Sequence, residues 1–138
     1  MATNAYQKYK NTQIETANQE KLLIMMYNGA IKFSKQAKEA INRNDYEAVN
    51  NSLVRTQAIL LELQATLDHQ KGGEIAENLD ALYDYMKRRL TDANVDKEKE
   101  PIDEVIDMLN ELKETWVEAS KKIKKNNNTG NKRISVKS

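Results

Sequence analysis

The sequence predicts an all-α protein: an antiparallel up-down-up-down four-helix bundle, with an N-terminal extension and a disordered basic C-terminal tail. Three observations carry this. Apolar residues recur in alternating steps of three and four along most of the chain, which is the spacing of one helix face. One proline and four glycines in 138 residues are too few for a sandwich or barrel of many tight turns. The joints, around 42–44, 69–73 and 94–100, are short enough to connect antiparallel neighbours.

The first helix begins near Thr16, which with Gln19 forms a capping box, while Asn18 is a competing N-cap. It carries two apolar lines. One is Leu23, Tyr27, Ala30, Ser34, Ala37 and Ile41; the other is Leu22, Met25 or Met26, Gly29, Phe33 and Ala40. Either line can face the core. The second helix has the cleanest stripe, Tyr46, Val49, Leu53, Thr56, Leu60, Leu63 and Leu67, with Asn44 or Asp45 as its cap and Glu47 in reach of a capping box. Gly72-Gly73 breaks the chain before the third, whose stripe is Ala76, Leu79, Tyr83, Met86, Leu90 and Ala93. The fourth runs Ile102, Val105, Leu109, Leu112, Trp116, Ala119 and Ile123, with Pro101 in its first turn, where the missing N–H costs nothing. Residues 1–15 precede the bundle, 16–125 form it, and 126–138 follow as the tail. The tail is polar and has little to bury.

The residue inventory excludes most chemistry. There is no cysteine, hence no disulfide framework and no thiolate metal site. The single histidine, His69, lies near a helix end, and Thr66 stands where a Glu-x-x-His pair would need its acid. Gly29, Gly72, Gly73 and Gly130 form neither a P-loop nor a dinucleotide fingerprint. No enzyme, cofactor or metal site is therefore expected. The longest apolar run, Leu22–Tyr27, falls far short of the ~20 residues that span a bilayer. With no apolar leader after Met1, a cytoplasmic protein without membrane insertion is expected. Seven of the 22 Lys and Arg lie from Lys121 onward, where there is no acid. The rest of the chain keeps 15 against 21 acids, a net of −6. An acidic body with a basic tail argues against nucleic-acid binding.

What remains is a surplus of apolar surface. Six consecutive side chains, Leu22–Tyr27, point in every direction around a helix advancing about 100° per residue. Either the helix buries a wide face, or its second line receives another chain. Met25 and Met26 are flexible and polarizable, which suits a surface that accepts a partner. Gly29 inside a helix costs about 1 kcal/mol relative to Ala, which a close approach of another backbone would recover. On the third helix Tyr83 and Tyr85 cannot share a face, and Arg88-Arg89 follow them; tyrosine beside arginine is a typical interface composition. Tyr6, Tyr9 and Ile14 give the N-terminal segment apolar anchors that a disordered tail usually lacks. The rival reading of the same surplus is a structural bundle whose extra stripe is a homo-oligomer seam.

Four stretches together resemble the FliS family of bacterial flagellin-specific export chaperones: "NAYQKYKNTQIETA" (4–17), "MMYNGAIKF" (25–33), "LDALYDYMKRRLTDAN" (79–94) and "LKETWVEA" (112–119). The third is the most specific. The resemblance covers about residues 4–120. It implies a cytoplasmic, ATP-independent chaperone that holds the C-terminal segment of flagellin, prevents premature assembly and delivers it to the flagellar type III export gate. It further implies that Leu22, Met25, Met26, Gly29, Phe33, Tyr83 and Tyr85 contact flagellin. The N-terminal segment, anchored by Tyr6, Tyr9 and Ile14, would cover part of that surface until the client displaces it. Without client, weak self-association is expected.

Overall fold

Long stretches without proline or glycine let the helices run far. The computed structural model describes the backbone of residues 2–137 and the side chains of residues 18–121, with Gln7. It contains four helices and no strand among the described residues: α1 (Ala2–Asn42), α2 (Tyr46–Ala65), α3 (His69–Asp96) and α4 (Glu100–Lys137). The chain divides into two units. One is Met25–Asn110; the other combines Met1–Ile24 with Glu111–Ser138.

The unit Met25–Asn110 holds the apolar core. Tyr27, Ala30 and Ala37 of α1 pack there with Leu53, Leu60 and Leu63 of α2, Tyr83, Met86 and Leu90 of α3, and Ile102, Val105 and Leu109 of α4, all essentially inaccessible to solvent. The Leu23 line of α1 therefore faces the core, which the periodicity alone left open. Two polar side chains are buried with it, and each satisfies itself on its own helix. Ser34 Oγ donates to the Ala30 carbonyl at 2.8 Å, and Thr56 Oγ1 to the Ser52 carbonyl at 3.1 Å.

Cross-helix bonds fix the directions. Lys38 pairs with Asp103, and Lys99 Nζ donates to Asn42 Oδ1 at 2.7 Å, so α4 descends beside α1. Asn94 Nδ2 donates to Asn50 Oδ1 at 2.8 Å, and Gln64 Nε2 to Asp84 Oδ1 at 2.8 Å, which sets α3 antiparallel to α2. Arg89 Nε donates to Glu104 Oε2 at 2.9 Å across α3 and α4. Within this unit the order is up-down-up-down.

The punctuation is close to expectation. Asp45 caps α2, its carboxylate accepting from Ala48 N at 3.2 Å, while Asn44 takes a left-handed φ of 56°. Glu47 sits one position short of the capping-box site. Asp68 caps the next turn by accepting from Gln70 N and Lys71 N, both at 3.1 Å. Gly73 then leaves helical geometry at φ 51°, ψ −123°, so the break lies inside the span of α3. Pro101 occupies the first turn of α4.

At the ends, the backbone of α1 is helical from Ala2 and through Thr16, where a cap was expected, and the backbone of α4 is helical to Lys137. No proline or glycine falls between Ala2 and Asn28, and only Gly130 interrupts the tail. Inside a continuous helix the N–H groups that Thr16 or Asn18 would cap already have carbonyl partners. The side chains of Tyr6, Tyr9 and Ile14 lie outside the described residues. In the unit of the two chain ends, Ser120 Oγ donates to Glu20 Oε2 at 2.7 Å. Trp116, from the expected fourth stripe, is exposed.

Candidate binding surface

The second line of α1 splits between packing and exposure. A Cβ on Gly29 would stand 3.3 Å from Ile59 Cδ1, so this glycine admits a side chain of α2 rather than a backbone. Four residues on, the Arg55 guanidinium lies over the Phe33 ring, 5.4 Å from its centre. Gly29 and Phe33 are thus half-buried parts of the α1–α2 seam, and Met26 is half-buried as well. Met25 is different, with 60% of its surface exposed. Leu22, in the other unit, is also exposed.

Tyr83 is a correction. It was expected on a binding face, but it is fully buried and its hydroxyl is hydrogen-bonded to that of Tyr27. Burial first, then that bond, push its ionisation well above the ordinary tyrosine range. Of two tyrosines about 200° apart, this one faces the core. Tyr85 is partly exposed, and its hydroxyl donates to Glu104. Glu104 also accepts from Arg89, whose Nη1 reaches Asp92 Oδ2 at 3.3 Å. The bonds from Tyr85 and Arg89 hold Glu104 below the usual carboxylate range, while the Glu104 carboxylate raises both Tyr85 and Arg89. This network ties α3 to α4.

A further apolar surface lies where the sequence reading placed none. Between α2 and α3 runs a groove of about 830 Å³. Val54, Gln57, Ala58 and Leu61 form its α2 wall; Ala81, Asp84, Lys87, Arg88 and Thr91 form the α3 wall. Val54 and Leu61 are 52% and 60% exposed. Two glutamines, Gln57 in the lining and Gln64, bond across the two helices. Gln57 Nε2 donates to the Lys87 carbonyl at 3.1 Å and to Thr91 Oγ1 at 2.9 Å; Gln64 Nε2 donates to Asp80 Oδ1 at 3.0 Å as well as to Asp84. These amide bridges tie α2 to α3. A signal for it existed in the sequence. The doublets Leu53-Val54 and Leu60-Leu61 carry a second stripe beside the core stripe, just as Leu22–Tyr27 does on α1.

Such a groove, mostly apolar on one wall and mostly polar or charged on the other, can take an amphipathic helix. No group of three or more His, Cys, Asp or Glu that could hold a metal ion occurs among the described residues. No helix among the described residues is long and apolar enough to cross a membrane. Fold and surface together define an all-helical protein with an open apolar groove. The comparisons with known proteins make this specific. A family model described as "Flagellar protein FliS" matches residues 2–123, and the chain belongs to that family. The flagellar secretion chaperone FliS of Campylobacter jejuni is 39% identical over 114 residues, 83% of this chain and 89% of that protein. Its namesake in Bacillus subtilis is 34% identical over 116 residues, 84% of this chain and 86% of that protein. A crystal structure of a bacterial flagellar chaperone superposes with a TM-score of 0.76 over 88% of this chain and 99% of that one, at 23% identity, and so supports the fold. The family is one of flagellar export chaperones, not of enzymes.

Proposed function

We propose that this protein works in the cytoplasm, where it holds the C-terminal segment of flagellin, keeps it from polymerising prematurely and delivers it to the flagellar type III export gate. The observation that carries the reading is the open, glutamine-braced groove between α2 and α3 in a chain of the FliS family. A helix laid there would cover Val54 and Leu61. In the same unit, exposed Met25 and half-buried Met26 offer further apolar contacts, with Tyr85 contributing its ring; Leu22, exposed in the other unit, is a client contact in this reading as well. Gly29 and Phe33 act indirectly, by shaping the α1–α2 seam beside them. Residues 1–15, through Tyr6, Tyr9 and Ile14, serve in this reading as a cover that the client displaces.

Mass measurement of the purified protein, with and without a flagellin C-terminal peptide, tests this. A one-to-one complex is expected. Leu61→Asp should weaken it by at least tenfold, about 1.4 kcal/mol, without lowering the melting temperature, because Leu61 is exposed. A stable homo-oligomer indifferent to the peptide would make the apolar surface a seam between copies and sink the reading. Deleting residues 1–15 should raise hydrophobic-dye binding or peptide affinity; no change in either removes the covering role alone.

A further inference from the structure

We propose that Arg88 selects the occupant of the α2–α3 groove by charge: the bound segment is an amphipathic helix with a carboxylate at the edge of its apolar stripe, placed against the Arg88 guanidinium. The inference rests on the client reading above and adds what the client must carry.

The charges along the groove are already matched, with one exception. Asp84 accepts from Gln64 and pairs with Lys87 at 3.2 Å. Thr91 is engaged by Gln57. The acids one turn before and after Arg88 on α3 are Asp84 and Asp92, and each takes a different cation. Lys87 holds Asp84, and Arg89 holds Asp92 at 3.3 Å. Among the described residues Arg88 forms neither a hydrogen bond nor an ion pair, its charge reaching Asp84 and Tyr85 only through space, and it is exposed on the wall facing Val54, Ala58 and Leu61.

A free guanidinium beside an apolar wall discriminates between occupants. Arginine stays charged and presents a planar fork matched to a carboxylate. A helix that covered the groove without an acid would strip water from this cation and return nothing, which disfavours it. A helix with an acid in place gains a hydrogen-bonded pair. Val54 to Leu61 spans seven residue steps, about 10 Å at helical rise. The occupant therefore presents apolar residues over about two turns, with the acid flanking them.

The test is a fluorescence-anisotropy titration of a recombinant flagellin C-terminal segment at low and high salt. It compares wild-type protein with Arg88→Gln, Arg88→Glu and Arg43→Glu; Arg43 is exposed at the end of α1, outside the groove lining. At low salt Arg88→Gln should weaken binding about fivefold and Arg88→Glu more than about tenfold, with Arg43→Glu within about twofold. The differences should shrink at high salt as the pair is screened. An acid-to-lysine change in the segment should restore binding to Arg88→Glu. If wild type binds and Arg88→Glu binds equally well at low salt, the pairing is overturned while the client reading stands. If wild type does not bind the segment, both fall. Self-association of the wild type that Arg88→Glu abolishes would put a second copy in the groove and overturn the proposed occupant.

Discussion

The buried hydroxyl pair of Tyr27 and Tyr83 shows how much one side chain's placement decides. Removing one hydroxyl leaves the other with one partner fewer in a dry site, a cost of about 1–3 kcal/mol, whereas removing both leaves two rings of unchanged shape. Tyr83→Phe and Tyr27→Phe should each lower stability within that range in urea denaturation. The double variant should lose clearly less than the two losses added. Strict additivity would mean that the hydroxyls do not act on each other. This pair was invisible in "LYDYM", where either tyrosine could have faced inward. The same holds for Gln57 and Gln64, whose partners stand 16 to 34 positions away. Long-range polar matches leave no periodic trace. Arg88 is legible only by elimination, once its neighbours are seen to prefer Lys87 and Arg89.

Helical stripes were the legible part, because core burial imposes a 3.6-residue period that sequence displays directly. Ala76, Met86, Leu90 and Ala93 of the α3 line are buried as its spacing requires, Leu79 is half-buried, and Tyr83 lies on the core side of the two roles the sequence offered it; Ile102, Val105 and Leu109 of α4 are buried too. Tyr46 departs from its stripe and is exposed, with the Lys97 ammonium 5.6 Å from the centre of its ring. Apolar doublets defeat the period, since two adjacent residues cannot both define the inward face. That is why the second line of α1 was ambiguous and the outer line of α2 went unread. The glycine break was readable, but its strength belongs to Gly73 itself. At φ 51° and ψ −123° a side chain is strained even though nothing lies within 4 Å of a Cβ there. Gly73→Ala should therefore destabilise by about 1–3 kcal/mol. A thermal midpoint equal to wild type would show that the turn before α3 relaxes freely into another conformation.

At the scale of the whole molecule, stability should be bounded on both sides of neutral pH by groups whose positions are now known. On the acid side stand Glu104, lowered by its bonds from Tyr85 and Arg89, and Asp84, lowered first by Gln64 and then by Lys87. A carboxylate with a lowered native pKa stabilises fully above its unfolded pKa, about 4, and loses that contribution as pH falls through the native value. On the alkaline side stands Tyr83, raised chiefly by burial. A raised tyrosine contributes fully below its unfolded pKa, about 10, and the contribution is lost as pH climbs, because the unfolded chain ionises first. The urea midpoint should thus be nearly flat between about pH 5 and 9 and fall on either side. Glu104→Gln should flatten the acid limb, because its α3–α4 clasp no longer depends on a proton, and Tyr83→Phe should flatten the alkaline limb. If Glu104→Gln left the acid limb as steep as in wild type, the Tyr85–Glu104–Arg89 network would be a surface ornament, and the acid sensitivity would have to come from Asp84 at the rim of the groove. Double replacement with Asp84→Asn separates the two, since only the second change alters the charge that faces a bound helix.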